Sequence, residues 1–143
     1  MNAYQAEINA KQLIREGLIA AGCLDGVTLS NAQVSSATKP LIWLQRPSEK
    51  GGEKQTYVTF ETVSTSESDA NSRADNQVIA WSYEGNIDLF TTLALNNTTI
   101  ISLLGNIVTE LEKKGFNVTM DSDLYEYDTK IYHKPISINK EIY

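Results

Sequence analysis

Residues 78–92, VIAWSYEGNIDLFTT, alternate along most of their length. Ile79, Trp81, Tyr83, Ile87 and Leu89 share one parity, with Gly85 in the gap, and Ser82, Glu84, Asn86 and Asp88 share the other. A period of two over so many residues predicts a long β-strand with one buried and one wet face. Gly85 marks a bend or bulge. Such a strand is not stable alone. It requires neighbours on both edges and a layer covering its apolar face.

The rest of the chain supplies both. Residues 55–63 (QTYVTFETV) are β-branched and aromatic and predict a second strand. Residues 41–45 (LIWLQ) predict a short strand that ends before Pro47. Residues 47–54 (PSEKGGEK) carry turn chemistry and predict a hairpin tip between those two strands. Residues 116–120 predict a further strand. Residues 22–39 read as a long connection with a short strand around Val27–Leu29. Residues 64–77 (STSESDANSRADNQ) hold no large apolar side chain and read as a polar loop, long enough to be functional or mobile.

Two helices complete the pattern. In residues 3–21, Tyr4, Ile8, Leu13, Ile14, Leu18 and Ile19 recur at spacings near three and four. Asn2 suits the N-cap and Gly22 the stop. Gly17 inside the run costs about 1 kcal/mol relative to alanine. In residues 97–114, Ile100, Leu103, Leu104, Ile107, Val108 and Leu111 form the apolar face, with Asn97 or Thr98 as cap and Gly115 as stop. The order is helix, strands, helix, strands. It predicts an α+β fold, a mainly antiparallel twisted sheet of about five to six strands covered by the two helices.

The chain has 143 residues, which fits one α+β domain over 1–143 with polar loops at 47–54 and 64–77. Its net charge of −6 argues against a module that clamps phosphates, since such domains are basic. Cys23 is the only cysteine, so no intrachain disulfide forms. No apolar run approaches the roughly 20 residues that span a bilayer. The N-terminal residues lack the pattern of a signal peptide. The expected compartment is the cytoplasm or a particle assembled there.

Catalytic options are few. His133 is the only histidine, so any Ser–His–Asp relay would need it. It sits between Tyr132 and Lys134 in a strand pattern and reads as a structural or interface residue. One His and one Cys do not make a zinc site of the usual kind. Asp121, Asp123, Glu126 and Asp128 lack the spacing and the glycine of a calcium loop, and read as a solvated strand edge. No phosphate-binding glycine motif occurs. The expectation is a protein that is not an enzyme, with no catalytic residues, cofactor or metal.

The most distinctive stretch is the C-terminal one, residues 123–142 (DLYEYDTKIYHKPISINKEI). An aromatic and acidic arm, Leu124 to Tyr127, enters a turn at Asp128, Thr129 and Lys130. A second arm leaves through Ile131, Tyr132 and His133 and closes on alternating isoleucines. Tyr125, Tyr127 and Tyr132 surround this hairpin, and tyrosine is enriched at protein interfaces.

This run resembles the C-terminal signature of tail terminator proteins of long-tailed bacteriophages, also called tail-to-head joining or tail completion proteins. The signature reads approximately D-x-Y-E-x-D-T-G-x-Y-H-K, and Asp123, Tyr125, Glu126, Asp128, Thr129, Tyr132, His133 and Lys134 match it. Lys130 stands where the pattern has glycine. Upstream, Ser68-Asp69 and Asp75-Asn76 precede an aromatic strand ending I-D-L-F, and Leu111, Gly115 and Phe116 follow; these are similar to the family as well.

The resemblance implies a structural virion protein of the tail or neck, assembled in the host cytoplasm. Its partners would be further copies in a hexameric ring, the major tail tube protein, and the head connector or stopper protein. The ring would cap the tube, stop its polymerisation and join tail to head, with DNA passing through the lumen without sequence-specific binding. Contact residues are expected in the polar loop (Glu67, Asp69, Arg73, Asp75) and on the hairpin (Tyr125, Glu126, Asp128, Thr129, Tyr132, His133). Competing expectations are a head-tail adaptor or stopper, a stand-alone binding module, and a small enzyme.

Overall fold

The structure, a computed structural model, describes residues 1–25, 41–43, 56–68, 73–74 and 77–143. The long alternating segment forms strand β6 (Trp81–Thr91) at the middle of the main sheet. The other elements are α1 (Ala3–Ala20), β1 (Leu24–Asp25), β2 (Leu41–Trp43), β3 (Tyr57–Glu67), β4 (Arg73–Ala74), β5 (Gln77–Val78), α2 (Thr98–Lys113), β7 (Asn117–Met120), β8 (Leu124–Glu126) and β9 (Ile131–Ile142). The main sheet runs β1-β2-β3-β6-β9-β7, with β8 also paired to β9, and β4 and β5 form a separate ribbon. The α+β class follows, with both helices on one face of a mainly antiparallel sheet.

Strand β6 pairs antiparallel with β3 and β9 along its whole length. Its predicted inner parity is the one that is buried: Tyr83, Ile87 and Leu89 are fully enclosed and Trp81 half so. Ile79 instead falls outside β6 and is 47% exposed. Gly85 lies opposite Thr62, next to a register shift between Thr62 and Ser64. The irregularity is therefore on β3, and Val63 is its exposed extra residue. A β-carbon at Gly85 would stand 2.7 Å from Tyr83 Oη and 2.9 Å from Glu61 O. The glycine makes room for the phenol, which hydrogen-bonds Thr62 Oγ1 at 3.2 Å.

Strands β1, β2 and β3 pair in parallel. The expected hairpin tip at 47–54 is thus corrected. Parallel neighbours need a crossover of about a dozen residues or more, not a tight reversal, and the chain between β2 and β3 is of that length. Residues 47–54 themselves, and the expected strand at Val27–Leu29, lie outside the described residues. The polar stretch at 64–77 is also not one loop. Strand β3 continues to Glu67, and Arg73-Ala74 pairs with Gln77-Val78 in the small ribbon.

Helix α1 starts at a capping box. Gln5 N donates to Asn2 Oδ1 at 2.9 Å, and Asn2 N to Gln5 Oε1 at 2.9 Å. Both helices end in the same motif. Gly22 and Gly115 take φ of 106° and 89°. Cys23 N reaches back to Leu18 O and Phe116 N to Leu111 O, and the four side chains join the core.

The buried stripe of α1 differs from the predicted one. It is Ala6, Ala10, Ile14, Gly17 and Leu18, while Tyr4, Ile8 and Ile19 are exposed. The reason is close packing. A β-carbon at Gly17 would sit 3.2 Å from Leu111 Cδ2, so α1 crosses α2 where its surface is smallest. The main core joins these residues to Val58, Phe60, Ile136, Ile138 and the apolar face of α2. Each fully buried aliphatic side chain contributes about 1.5–3 kcal/mol relative to exposure.

Candidate functional site

The C-terminal hairpin is built around β9, which carries two short partners along one edge. Strand β7 pairs with residues 136–139 and β8 with residues 131–133. Between β7 and β8 the edge is interrupted at 121–123. There Asp121 N donates to Pro135 O at 3.1 Å, and Ser137 Oγ donates to Asp121 Oδ2 at 2.8 Å. Lys134 Nζ binds Asp121 O and, at 2.7 Å, Asp123 Oδ1. Asp123 and Lys134, two members of the signature, thus pin β8 to β9.

The turn spans Tyr127 to Lys130 between the paired residues Glu126 and Ile131. Thr129 Oγ1 donates to Glu126 Oε2 at 2.9 Å and closes it from the side. Lys130 has φ 56°, the one positive φ at a non-glycine residue among the described residues. Lys130 thus takes a conformation that glycine adopts more readily, at the position where the resembled signature has glycine. The hairpin stands, and Lys130 carries backbone strain.

The three tyrosines meet. Tyr125 and Tyr132 are cross-strand partners with ring centroids 4.7 Å apart. Tyr127 contacts Tyr125 edge-on at 5.0 Å. Tyr127 is nonetheless 84% exposed, and Tyr125 38%. It is an exposed ring held in place by its neighbours.

His133 serves the interior of the hairpin. Its ring stacks on Phe90 at 4.3 Å, and Phe90 stacks on Tyr57 at 4.9 Å. The three sit at one level across β9, β6 and β3. Nε2 of His133 lies 2.6 Å from Asp88 Oδ1. Tyr57, Phe90 and Ile131 form a second buried cluster on the sheet face away from the helices. The predicted wet face of β6 is therefore apolar at its last residue. The sequence pointed to neither Asp88 nor Phe90 as partners of His133. The parity of β6 placed both on one face, but their pairing with His133 depends on the β6–β9 register.

Of the polar-loop residues, Glu67 closes β3 and is exposed. Arg73 lies on the ribbon strand β4, and Asp69 and Asp75 lie outside the described residues. The structure does not bring Glu67 to the hairpin turn. It stands at the start of β6, opposite Trp81, whereas the hairpin turn adjoins the β6 end at Thr91.

Elsewhere, a cleft of about 340 Å³ opens between the end of α1 and the start of α2, lined by Ala21, Thr99, Ser102, Leu103 and Asn106. None of these side chains titrates. Cys23 is enclosed beneath α1, and burial pushes its thiol up to about 12. Among the described residues no three His, Cys, Asp or Glu side chains gather to hold a metal, and no helix is long and apolar enough to cross a membrane.

Beyond that buried cluster, the sheet face away from the helices carries Glu61, Glu84, Asp88 and Glu141, with Ser64, Ser82, Asn86, Ser137 and Asn139 between them. The described strands place no lysine or arginine on that face. Lys134 and Lys140 share the parity of Ile136 and Ile138, which face the helices. Against protein-family models and curated proteins, the chain matches none.

Proposed function

We propose that the chain is a structural subunit of a phage neck, a tail terminator that assembles into a ring on the tail tube and joins it to the head connector. The observation that carries this reading is the construction of the hairpin. The residues that resemble the terminator signature act on one another: Asp123 with Lys134, Glu126 with Thr129, and Tyr125 with Tyr132. His133 anchors the unit to β6 through Asp88 and Phe90. A pattern that specifies one rigid projecting hairpin suits an assembly part better than a catalyst.

Two further features support it. The sheet face away from the helices bears carboxylates and, on the described strands, no lysine or arginine, so it is poorly suited to hold a phosphate backbone. That suits a ring through which DNA passes. Two helices beside nine strands among the described residues also favour a terminator over a head-tail adaptor, which is expected to be more helical.

The test is electron microscopy of the purified protein, alone and mixed with tail tubes of the same phage. Six-fold rings capping tube ends, together with arrest of tube growth, are expected. A protein that stays monomeric beside uncapped, lengthening tubes refutes the proposal.

A further inference from the structure

The main sheet ends in an open edge at β7, and the backbone there fixes how another strand can lie against it. Strand β7 pairs with β9 on one side, and among the described residues no strand pairs with the other. Asp121 N donates to Pro135 O, so Asp121 turns its backbone groups toward β9. Alternate residues along a strand share that direction. Asn117 and Thr119 therefore point inward with it, and Val118 and Met120 turn their N–H and C=O groups outward. Those groups bond to no other described residue. Sheets normally guard such an edge with a charge, a proline or a bulge. Residues 117–120 (NVTM) contain none of the three. Asn117, Thr119 and Met120 are exposed, Met120 by 41%, so the rest of the chain does not cover the strand.

The helix above the edge is equally bare. Helix α2 lies between α1 and β7 and packs against both. Its α1 side is marked by Leu111 against Gly17 and by Leu103 and Asn106 beside Ala21. At about 100° per residue, the opposite flank holds Ile101, Gly105, Val108 and Glu112. Ile101 is 55% exposed, and a β-carbon on Gly105 would meet nothing within 4 Å. The open strand thus runs beneath an apolar, uncrowded flank.

A second copy of the same edge fits it. Outward groups bond only to outward groups, so antiparallel pairing joins Val118 of each copy to Met120 of the other. Thr119 then faces its own counterpart across a two-fold axis, a favourable cross-strand pair. Val118 packs on the core, and Met120 shares its parity, so these residues of both copies form one apolar row on the helix side. Charge does not oppose the approach. The chain carries −6 overall, which keeps most surfaces of two copies apart, but this strand is neutral. Pairing sets the Lys113–Lys114 end of one copy beside the Asp121–Asp123 end of the other. All four already have partners within their own chain, so no like charges are forced together and no bond is broken.

We infer that the β7 edge is a homodimer interface. Two copies pair β7 antiparallel about Thr119 and continue the sheet, with the Ile101–Val108 flanks of the two α2 helices meeting above it. The same patch serves both copies, so the contact is closed. It is separate from the head-to-tail contacts of the proposed ring, and each stands or falls without the other.

The experiment uses the full chain. Sedimentation across a range of concentrations should show a monomer–dimer equilibrium. Met120→Pro removes an N–H that points outward and leaves the β7–β9 ladder its bonds; it should weaken the dimer roughly tenfold or more. Thr119→Lys and Thr119→Glu each set like charges opposite one another and should dimerise poorly alone, while a mixture of the two restores dimers. The paired Thr119 α-carbons stand about 4.5 Å apart, within disulfide reach. Thr119→Cys should therefore lock the dimer under mild oxidation, and Asn117→Cys, which faces Asp121 of the other copy, should not. Cys23 is buried and takes no part. Unchanged thermal melting verifies that the variants fold. A protein that is monomeric at every concentration and is not locked through Thr119→Cys overturns the inference. So does a dimer that Met120→Pro leaves intact, because it uses another surface. A dimer that Met120→Pro abolishes but Thr119→Cys fails to lock pairs β7 with a different edge and overturns the two-fold contact. Rings on tail tubes from a protein showing none of these effects leave the ring reading standing alone. A locked dimer that never caps tubes supports this contact and removes the ring reading.

Discussion

Replacing Lys130 with glycine is expected to stabilise the protein. Lys130 sits at φ 56°, where the β-carbon crowds the following carbonyl. That conformation costs a residue with a β-carbon about 1–2 kcal/mol. Glycine removes the crowding but enters with a more disordered unfolded state, a loss of about 0.4–1 kcal/mol. The difference is a net gain of roughly 0.5–1 kcal/mol. For a chain of this length that raises the melting temperature by about 2–4 °C.

The lysine side chain must be separated from its backbone. Lys130 is exposed, so removing its charge alone should matter little. Lys130→Ala keeps the β-carbon and is expected to leave stability within about 0.5 kcal/mol of the parent. Lys130→Val adds branching at a position that already crowds and should cost more. Urea denaturation of the parent and the three variants, followed by tryptophan fluorescence, gives the order glycine, then parent and alanine together, then valine. If glycine gives no gain, or if alanine gains as much as glycine, the strain account of this turn is wrong.

Other expectations are briefer. The Cys23 thiol, pushed up to about 12 by burial, should resist thiol reagents at pH 8 in the native protein and react fully in urea; rapid stoichiometric labelling without denaturant would contradict its enclosure. Glu7 is held below its ordinary value near 4.5, first by its hydrogen bond with Lys11 and then by Thr62. Its folded pKa is the lower one, so its contribution to stability is present above that ordinary value and fades as pH falls through the folded value. Glu7→Gln should therefore flatten stability against pH in the acid range only, by a small amount because the pair lies at the surface. His133→Ala loses a ring stack of about 0.5–1.5 kcal/mol and a hydrogen bond of about 1 kcal/mol. It should lower the melting temperature, and combined with Asp88→Ala should be less than additive.

What was legible in the residues follows from how far each signal reaches. Alternation along β6, the caps at Asn2 and Asn97 and the stops at Gly22 and Gly115 are set by neighbours in the chain, and each appears where its local chemistry placed it. Large apolar residues lie on both faces of α1, so they do not mark the buried one. Its true inner stripe is small, and only the approach of Leu111 to Gly17 explains why. Turn-forming residues such as those at 47–54 suit a crossover as well as a reversal, so they do not distinguish the expected hairpin from the parallel pairing of β2 and β3. Pairing direction is decided by partners far along the chain, and short apolar strands carry no mark of it.

The candidate site divides along the same line, and the division bears on function. Most positions that the terminator pattern specifies hold the hairpin's shape: Asp123, Tyr125, Glu126, Thr129, Tyr132, His133 and Lys134 each have a partner within the chain, while Asp128 is exposed at the turn. Tyr127, like Leu124 and Ile131, falls where the pattern leaves the residue open, and it is the ring of the three tyrosines that stands 84% exposed. A signature of this kind encodes a rigid mount, while the residue presented on the mount is free to follow its partner. The resemblance could therefore reveal the hairpin from sequence without revealing what the hairpin touches.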